Sequence, residues 1–440
     1  MAKRAKRAKP MSELIEFYSK VCVARSVKFV TDEASKEEIN LSESDQFSYN
    51  LATILARDNE VVAVNLKILP DKCRIYISKS NKWLNKDTKY IEEIQALMKN
   101  LSKDAPMTFE QAAERKDVFA LFYNVLEYCS VKLERRLNKL KKDIKNNKDQ
   151  SHIKSFLEFL ESSEINVDNL DEINEPSGKE ISKFEYLMTT ACCEYYKYNK
   201  KNKSYPQRFL GHIKKVGFYA ASVMDIINCA RKDKYKIPFS CIDLRLLDPV
   251  LDEQPISSWT DIIKKYIPIQ KSFKNFKTNC LKNKETRDRL NEIYDGTGGQ
   301  LDCERINYIY LHAELNILTN TDILSKEHNE FIAVSKKCCY LCESYIEFLR
   351  SKGYKITVSE GHKKLYHKWK LPDIYSSEFA KCALCDLDQI IESGIEQYTK
   401  IIAKSDSDGE SADSDNPIRN HVAMKKVTEG AFQIKTNSNL

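Results

Sequence analysis

The 440-residue sequence is short of the residues that interrupt regular structure, with 11 glycines and 11 prolines. Both residues punctuate helices and strands, and glycine alone usually makes up about 7% of a protein. Their scarcity excludes collagen-like and glycine-rich low-complexity chains and predicts a chain rich in helices. The length is ample for two domains, or for one large elaborated domain with a real core.

Long hydrophobic runs are also missing from the sequence. No run approaches the roughly 18 apolar residues of a membrane-spanning helix. The basic start of the chain is not followed by the apolar stretch that is typical of a signal peptide. These absences predict a cytoplasmic or nuclear protein with no membrane partner.

A strong excess of one charge is absent from most of the chain. The formal net charge is +7, and five positive charges belong to the first ten residues, at Lys3, Arg4, Lys6, Arg7 and Lys9. Seven less five leaves +2 for the rest, which is no electrostatic signature of nucleic-acid binding. The basic start is a nuclear-import signal, a nucleic-acid-binding arm or a solvated tail.

Cysteine, in contrast, is plentiful, with 14 residues scattered along the chain. They lack the regular framework of a small disulfide-bonded domain, so free thiols and a metal site in a reducing compartment fit better.

Charged residues are also dense in places. Residues 118–144 start apolar and become strongly charged, which is more typical of a solvated helix face than of a binding stripe.

One set of residues has the composition of a zinc site. His312 and Glu314 are separated by one residue, and Cys339 and Cys342 form a C-x-x-C pair further along. Zinc takes imidazole nitrogen and thiolate sulfur in tetrahedral geometry, and a catalytic zinc keeps one position for water. The pattern predicts His312, Cys339 and Cys342 as ligands. Glu314 is predicted to move protons between the zinc-bound water and a leaving group.

Apolar spacing places both parts of this set at helix starts. Residues 311–318 and 340–349 are predicted as helices, and residues 331–334 and 354–358 as strands. The start of a helix favours negative charge and lowers the pKa of a thiol, which suits metal-bound sulfur. A strand between the two helix starts is the expected arrangement.

These motifs resemble the zinc-dependent cytidine-deaminase-like superfamily of nucleoside and nucleic-acid deaminases, whose signature is H-x-E…P-C-x-x-C. Three segments resemble its fungal-expanded, toxin-like branch. They are S-K-K-C-C-Y-L-C from Ser335, G-H from Gly361 and W-K-L-P from Trp369. Cys338 stands where the superfamily usually has proline. Because its side chain is a thiol, Cys338 could compete with Cys339 and Cys342 as a zinc ligand. The specific resemblance covers roughly residues 306–372.

The resemblance implies an α/β fold with a cytidine-deaminase-like three-layer core, a large all-helical insertion and a helical C-terminal extension. A helix at 44–56 and alternating apolar runs at 61–69 and 73–78 predict the helix and β-hairpin with which that fold opens. We therefore expect the hairpin in the same sheet as residues 331–334. The divisions implied are a basic disordered tail (1–12), the first helix and hairpin (13–80), the helical insertion or cap (81–300), the zinc-binding half (301–375), a C-terminal helix (376–402) and an acidic disordered tail (403–440).

The resemblance also implies substrate contacts. An asparagine follows the second strand in nucleoside deaminases, and Asn81 stands there, although asparagine is also a common turn residue. The backbone of Ala313 is expected to approach the base closely. His362 and Trp369 follow a strand, where open α/β sheets place ligands. They are predicted to stack on a base or bind a phosphate, with Trp369 equally explained as a core residue.

The implied function is that of a zinc-dependent hydrolytic deaminase acting on a nucleobase, as a nucleoside, a nucleotide or a nucleic acid. Zn²⁺ is the expected cofactor, zinc hydroxide the expected nucleophile and Glu314 the proton shuttle. The expected partner is therefore a nucleobase-containing substrate, with a nucleic acid as one candidate.

Two other interpretations stay open. One is a deaminase relative that binds nucleotide without turnover. The other is a structural zinc module in a helical interaction scaffold, in which these cysteines compete as ligands: Cys338, Cys339, Cys342, Cys382 and Cys385. Whether His312 or Cys382 faces the first C-x-x-C pair discriminates a catalytic site from the structural module.

Overall fold

The computed structural model describes residues 12–31, 41–166, 182–294, 300–320, 323–358 and 361–407. The predicted basic tail lies outside these ranges except for Ser12, and the predicted acidic tail lies outside them from residue 408 onward. Residues 403–407 instead continue the last helix, which the sequence predicted to end at residue 402. In the described ranges, no helix is both long enough and apolar enough to cross a membrane.

Helices dominate the described chain. In chain order they are α1 Glu13–Val27, α2 Glu43–Leu55, α3 Asn85–Lys103, α4 Phe109–Ala113, α5 Lys116–Tyr128, α6 Ser130–Asn146, α7 Ser151–Ser162, α8 Lys183–Asn199, α9 Gln207–Ala230, α10 Lys236–Ser240, α11 Trp259–Tyr266, α12 Gln270–Lys282, α13 Lys284–Tyr294, α14 Ala313–Leu318, α15 Tyr340–Ser351 and α16 Ser376–Ser407. The strands are β1 Val62–Ile68, β2 Cys73–Lys79, β3 Ile242–Leu247, β4 Leu251–Ile256, β5 Arg305–Tyr310, β6 Glu330–Val334 and β7 Ile356–Val358.

A five-stranded sheet with the order β3-β2-β1-β6-β7 organises the fold. β1 and β2 form the predicted antiparallel hairpin, with Ile68 opposite Cys73. β1 also pairs antiparallel with β6, with Ala63 opposite Val334, and β7 runs parallel to β6. The prediction that the hairpin shares a sheet with residues 331–334 is confirmed, although the two segments are far apart in the chain.

Alternating side chains on the strands divide the core between the two faces of this sheet. Val62 and Val64 pack in a buried cluster with α2 and with the helices from α3 to α10. Ala63 and Val334 belong to a second cluster, with α1 and the helices from α11 to α16. Helices therefore cover both faces, and the architecture is mixed α/β.

The prediction that residues 81–300 form an all-helical insertion is wrong, because two strands lie within it. β3 pairs parallel with β2 and extends the central sheet, whereas β4 pairs antiparallel with β5 in a separate two-stranded sheet. Ile242, Leu244 and Leu246 alternate along β3, but a strand this short needs partners, and they come from β2, distant in the sequence.

The charged stretch predicted as the end of one helix at 118–144 is a separate helix. α5 ends at Tyr128 and α6 begins at Ser130, with Cys129 between them. The buried side of α6 consists of Leu133, Leu137, Leu140 and Ile144, spaced by three or four residues. The cations of α6 therefore lie on its other sides, for which the charge pattern favours a solvated face over a binding stripe.

Candidate metal centre

Two helix starts bring the histidine and the first C-x-x-C pair together. β5 ends at Tyr310, and two residues later His312 is the N-cap residue of α14. β6 ends at Val334, and Cys339 is the N-cap residue of α15. Cys342 lies in the first turn of α15 on the same side as Cys339, because residues three apart are neighbours on a helix.

The three predicted ligands converge. The Nδ1 atom of His312 lies 3.2 Å from Cys342 Sγ and 3.6 Å from Cys339 Sγ. Ligand atoms of the three residues all lie within 4.8 Å of one another. Both cysteines are buried, and the ring of His312 stacks on Tyr310 with centroids 5.4 Å apart. One nitrogen and two sulfurs at this spacing suit a tetrahedral zinc ion with one position left over.

Electrostatics at the site favour a thiolate next to the histidine. Burial alone would raise the pKa of Cys339, but a hydrogen bond with Cys342 and the charge of His312 lower it to about 6. Burial and the negative Cys339 raise the pKa of Cys342 well above its ordinary value. Burial would lower the pKa of His312, but Cys339 and Glu314 raise it. A bound cation would replace these protons, as metal binding to thiols does.

Glu314 supplies the second feature of the site. Its side chain is buried in the first turn of α14, with Oε1 4.0 Å from His312 Nδ1. Its other oxygen, Oε2, is buried and has no hydrogen-bond partner among the described residues. A buried carboxylate oxygen costs free energy unless a donor reaches it. This orphaned acceptor therefore fits a site that receives a further polar group, as a metal site with bound water would provide.

The rival ligands do not belong to the converging group. Cys382 and Cys385 are exposed on α16, and neither belongs to the converging group. Cys338 is buried beside Glu314, and burial together with that carboxylate raises the pKa of its thiol well above the ordinary value. Since His312 and not Cys382 faces Cys339 and Cys342, the geometry favours the catalytic arrangement over the four-cysteine module.

The prediction that Trp369 contacts a substrate is wrong, and the alternative that it is a core residue holds. Its side chain is completely buried against Phe17 and Phe379, so no base can stack on it. Its indole Nε1–H instead donates a hydrogen bond to Cys342 Sγ at 3.2 Å. The indole therefore contacts the sulfur of a predicted ligand. No sequence motif indicates this contact, because the two residues are 27 positions apart.

His362 and Ala313 lie next to the predicted ligands. The backbone N–H of His362 donates to the Cys338 carbonyl at 2.9 Å. Its half-buried ring lies 5.8 Å from the ring of Tyr366, which in turn lies 6.1 Å from the ring of His312. Ala313 is buried at the first position of α14. Their roles in substrate binding stay predictions. Tyr366, whose ring contacts both histidine rings, belongs to none of the sequence motifs.

Asn81 lies just past the end of β2, as predicted, in an exposed position. Its side-chain N–H donates to Glu60 Oε1 at 3.4 Å, and Glu60 is buried beside Lys79. α14 packs against the same hairpin, where the Asn316 amide donates to Ser78 Oγ at 2.9 Å. A hydrogen bond thus joins the end of the hairpin to α14. Contact of Asn81 with a substrate stays a prediction.

Comparison with known proteins identifies the segment that carries the site. Residues 311–373 match the family model described as OTT_1508_deam-like deaminase. The matched segment contains His312, Glu314, Cys339 and Cys342. A search of curated proteins found no match, and a search of solved structures found none either. The match supports a deaminase-superfamily assignment, and deaminase activity in general, for the segment of residues 311–373.

Proposed function

We propose that this protein is a zinc-dependent hydrolytic deaminase of a nucleobase, carried by a nucleoside, a nucleotide or a nucleic acid. The observation that carries the proposal is the convergence of His312, Cys339 and Cys342 within 4.8 Å, with the orphaned Glu314 carboxylate oxygen beside them. A structural four-ligand site would not by itself account for a buried carboxylate oxygen without a donor at this point.

The residues would divide the chemistry as follows. Zinc, when bound, lowers the pKa of water toward 7 and so supplies hydroxide at neutral pH. Water oxygen forms a bond to the amidine carbon of the base, the exocyclic C–N bond breaks, and ammonia leaves. Glu314 accepts the proton of the attacking water, delivers a proton to the ring nitrogen and then assists the departure of ammonia.

Other residues of the site would hold the ligands and the base. Trp369 would keep Cys342 oriented through its N–H donor, 3.2 Å from the sulfur. Ala313 would let the base approach the start of α14, because its methyl group leaves room that a larger side chain would fill. His362 and Tyr366 would line the opening.

The sheet supports the finer proposal that the fold contains a cytidine-deaminase-like core. Its parts would be α2, the β1–β2 hairpin, α14, β6, α15 and β7, in this order along the chain. These elements share one sheet and pack on its two faces. Residues 81–300 would then be an insertion between the hairpin and the zinc-binding half, with β3 added to the sheet edge.

The test is the variant Glu314→Gln. We expect it to retain one zinc per chain and its fold, but to lose about 10²–10⁴-fold in the rate of ammonia release, because the amide cannot accept a proton. The substrates to assay are a panel of nucleosides, nucleotides and single-stranded DNA and RNA. Near-wild-type turnover in this variant would contradict the mechanism.

Metal analysis supplies the matched control. Cys339→Ser should lose most of the zinc, whereas Cys382→Ser should retain it, because Cys382 is exposed on α16. Loss of zinc from Cys382→Ser with retention in His312→Ala would instead favour a structural zinc module. Metal content can be measured without a known substrate, so these variants test metal binding independently of catalysis.

A further inference from the structure

A small basic pocket lies between two helices of residues 81–300 and two loops of the central sheet. It has a volume of about 190 Å³. Helices α6 and α9, the loop before β1 and the loop after β6 all contribute to its wall. Six cationic side chains line it: Lys132, Arg135, Arg136, Lys139, Lys215 and Lys336.

Negative charge in the wall is far too small to balance these cations. Asp58 is the carboxylate in the lining, and it pairs with Arg135. His212, also in the lining, pairs with Asp143. In the described part of the chain, no ion pair is found for the other five cations. Lys132, Arg136 and Lys336 donate instead to the backbone carbonyls of Ala56, Lys215 and Asn59.

Such a cluster is costly without a counter-ion. Like charges repel more strongly where the protein lowers the effective dielectric constant, and Lys132 and Arg136 are half-buried. Burial, and after it the charge of Arg136, lower the pKa of Lys132 to about 8. A bound anion would offset the repulsion among these cations. The composition of the wall therefore suits an anion-binding site.

The arrangement favours phosphate over a carboxylate. Two guanidinium groups offer planar pairs of N–H donors that match phosphate oxygens, and four ammonium groups add point charges. A single carboxylate would meet one of these groups, whereas a phosphate presents several oxygens and up to two charges. We propose that this pocket binds a phosphate-bearing anion.

The pocket is linked to the candidate metal centre through Lys336. Cys339 is three positions after Lys336 in the chain, which limits the distance between their Cα atoms to about 11 Å. Ser335 anchors this loop, because its N–H donates to the Val62 carbonyl at 2.8 Å and its Oγ accepts from the Val62 N–H at 3.0 Å. The anion is therefore either a phosphate of the nucleotide or strand whose base enters the proposed active site, or a free polyphosphate. The first source rests on the proposed function.

The test uses inorganic tripolyphosphate and the full-length protein, with binding measured by isothermal titration calorimetry at constant ionic strength. In the pocket variant, Lys139, Lys215 and Lys336 are each replaced by glutamine, since all three are exposed and their removal spares the core. We expect the dissociation constant to rise about tenfold or more. Absence of tripolyphosphate binding to the wild-type protein would overturn the proposal.

A control variant removes the same number of charges elsewhere. Lys103, Lys154 and Lys201 are exposed, do not line the pocket and lie outside α6 and α9, the two helices of its wall. Their replacement by glutamine should change the dissociation constant by less than about twofold, because distant exposed charges are screened. Equal losses in both triple variants would mean that only net charge matters and would overturn the pocket.

A single substitution should strengthen binding. Asp58→Asn removes the carboxylate of the wall and releases Arg135 to the anion. Asparagine also tolerates the left-handed backbone at this position, where φ is 40°. We expect a lower dissociation constant for tripolyphosphate, and unchanged or weaker binding in a folded Asp58→Asn protein would contradict the proposal.

Competition identifies the source of the phosphate. Tripolyphosphate should displace a single-stranded oligonucleotide or a nucleoside triphosphate if the pocket holds a substrate phosphate, and should bind together with them if a free polyphosphate resides there. Both binding measurements are made on the Glu314→Gln variant, so that no substrate is consumed during the titration. The pocket can thus be confirmed or overturned whether or not the protein proves to be a deaminase.

Discussion

At the scale of single residues, a tryptophan behind the candidate metal centre gives a prediction. The indole N–H of Trp369 donates to Cys342 Sγ at 3.2 Å, and partners of metal ligands typically contribute 10–100-fold to metal affinity. We expect Trp369→Phe to weaken zinc binding by about 10- to 100-fold in a chelator competition. Phenylalanine keeps an aromatic ring against Phe17 and Phe379 but has no donor.

A second buried tryptophan serves as the control for this prediction. Trp259 is also fully buried, and its Nε1–H donates to Ser26 Oγ at 3.0 Å, with no metal ligand involved. Trp259→Phe removes the same indole and one hydrogen bond, so the loss of fold stability should be similar. Equal zinc affinities in the two variants would refute the role given to Trp369.

At the scale of elements, the crossing of α8 and α9 depends on one glycine. A Cβ atom added at Gly217 would lie 2.6 Å from the Cα atom of Cys193 and 2.7 Å from the carbonyl carbon of Cys192. Backbone atoms cannot yield as a flexible side chain can. We expect Gly217→Ala to lower the free energy of unfolding by about 1–3 kcal/mol or more in urea denaturation.

Gly211, in the same helix, is the matched control. A Cβ atom there would meet nothing within 4 Å, and alanine is the better helix former by about 1 kcal/mol. Gly211→Ala should therefore raise the free energy of unfolding by about 0.5–1 kcal/mol. Glycine-to-alanine substitution should thus change the free energy of unfolding in opposite directions at two positions of α9. A decrease at both positions would show that the α8–α9 contact does not explain the effect of Gly217→Ala.

At the scale of the whole molecule, a buried ion pair joins the central sheet to the helices of residues 81–300. Lys79 at the end of β2 is completely buried and pairs with Asp87 in α3. Tyr128 at the end of α5 donates to the same carboxylate at 3.0 Å. Asp87→Asn leaves the buried ammonium with Glu60 alone, and we expect it to lower the free energy of unfolding by about 3–5 kcal/mol at pH 7.

The pH dependence of this effect has a definite sign. Burial would raise the pKa of Asp87, but the hydrogen bonds from Lys79 and the Leu84 N–H lower it below its ordinary value. A carboxylate with a lowered folded-state pKa stabilises the fold above its unfolded-state pKa, near 4, and loses this contribution as pH falls further. The stability difference between wild type and Asp87→Asn should therefore shrink as pH falls below about 4. The exposed hairpin residue Asp71, replaced by asparagine, should show no such difference.

Local patterns in the sequence determined the hairpin, most of the helices and the candidate site. Strict alternation identified β1 and β2, and the spacing of His312, Glu314, Cys339 and Cys342 identified the group that the fold brings together. Such patterns can be read from the sequence because strand and helix periods, and the coordination chemistry of zinc, act over a few residues. Sequence resemblance then supplied the expectation that the hairpin shares a sheet with residues 331–334, which no local pattern contains. The direct pairing of β1 with β6 comes from the structure.

The tertiary structure alone decided the features that depend on distant partners. β3 is a strand because β2 offers it an unpaired edge, and Trp369 supports Cys342 because folding buries the indole against its sulfur. Four cations of α6, Lys132, Arg135, Arg136 and Lys139, line a pocket, since side chains of α9 and of the loop carrying Lys336 lie opposite them. In each case the deciding contact joins residues that are far apart in the chain, and its energy exists only once the fold has brought them together.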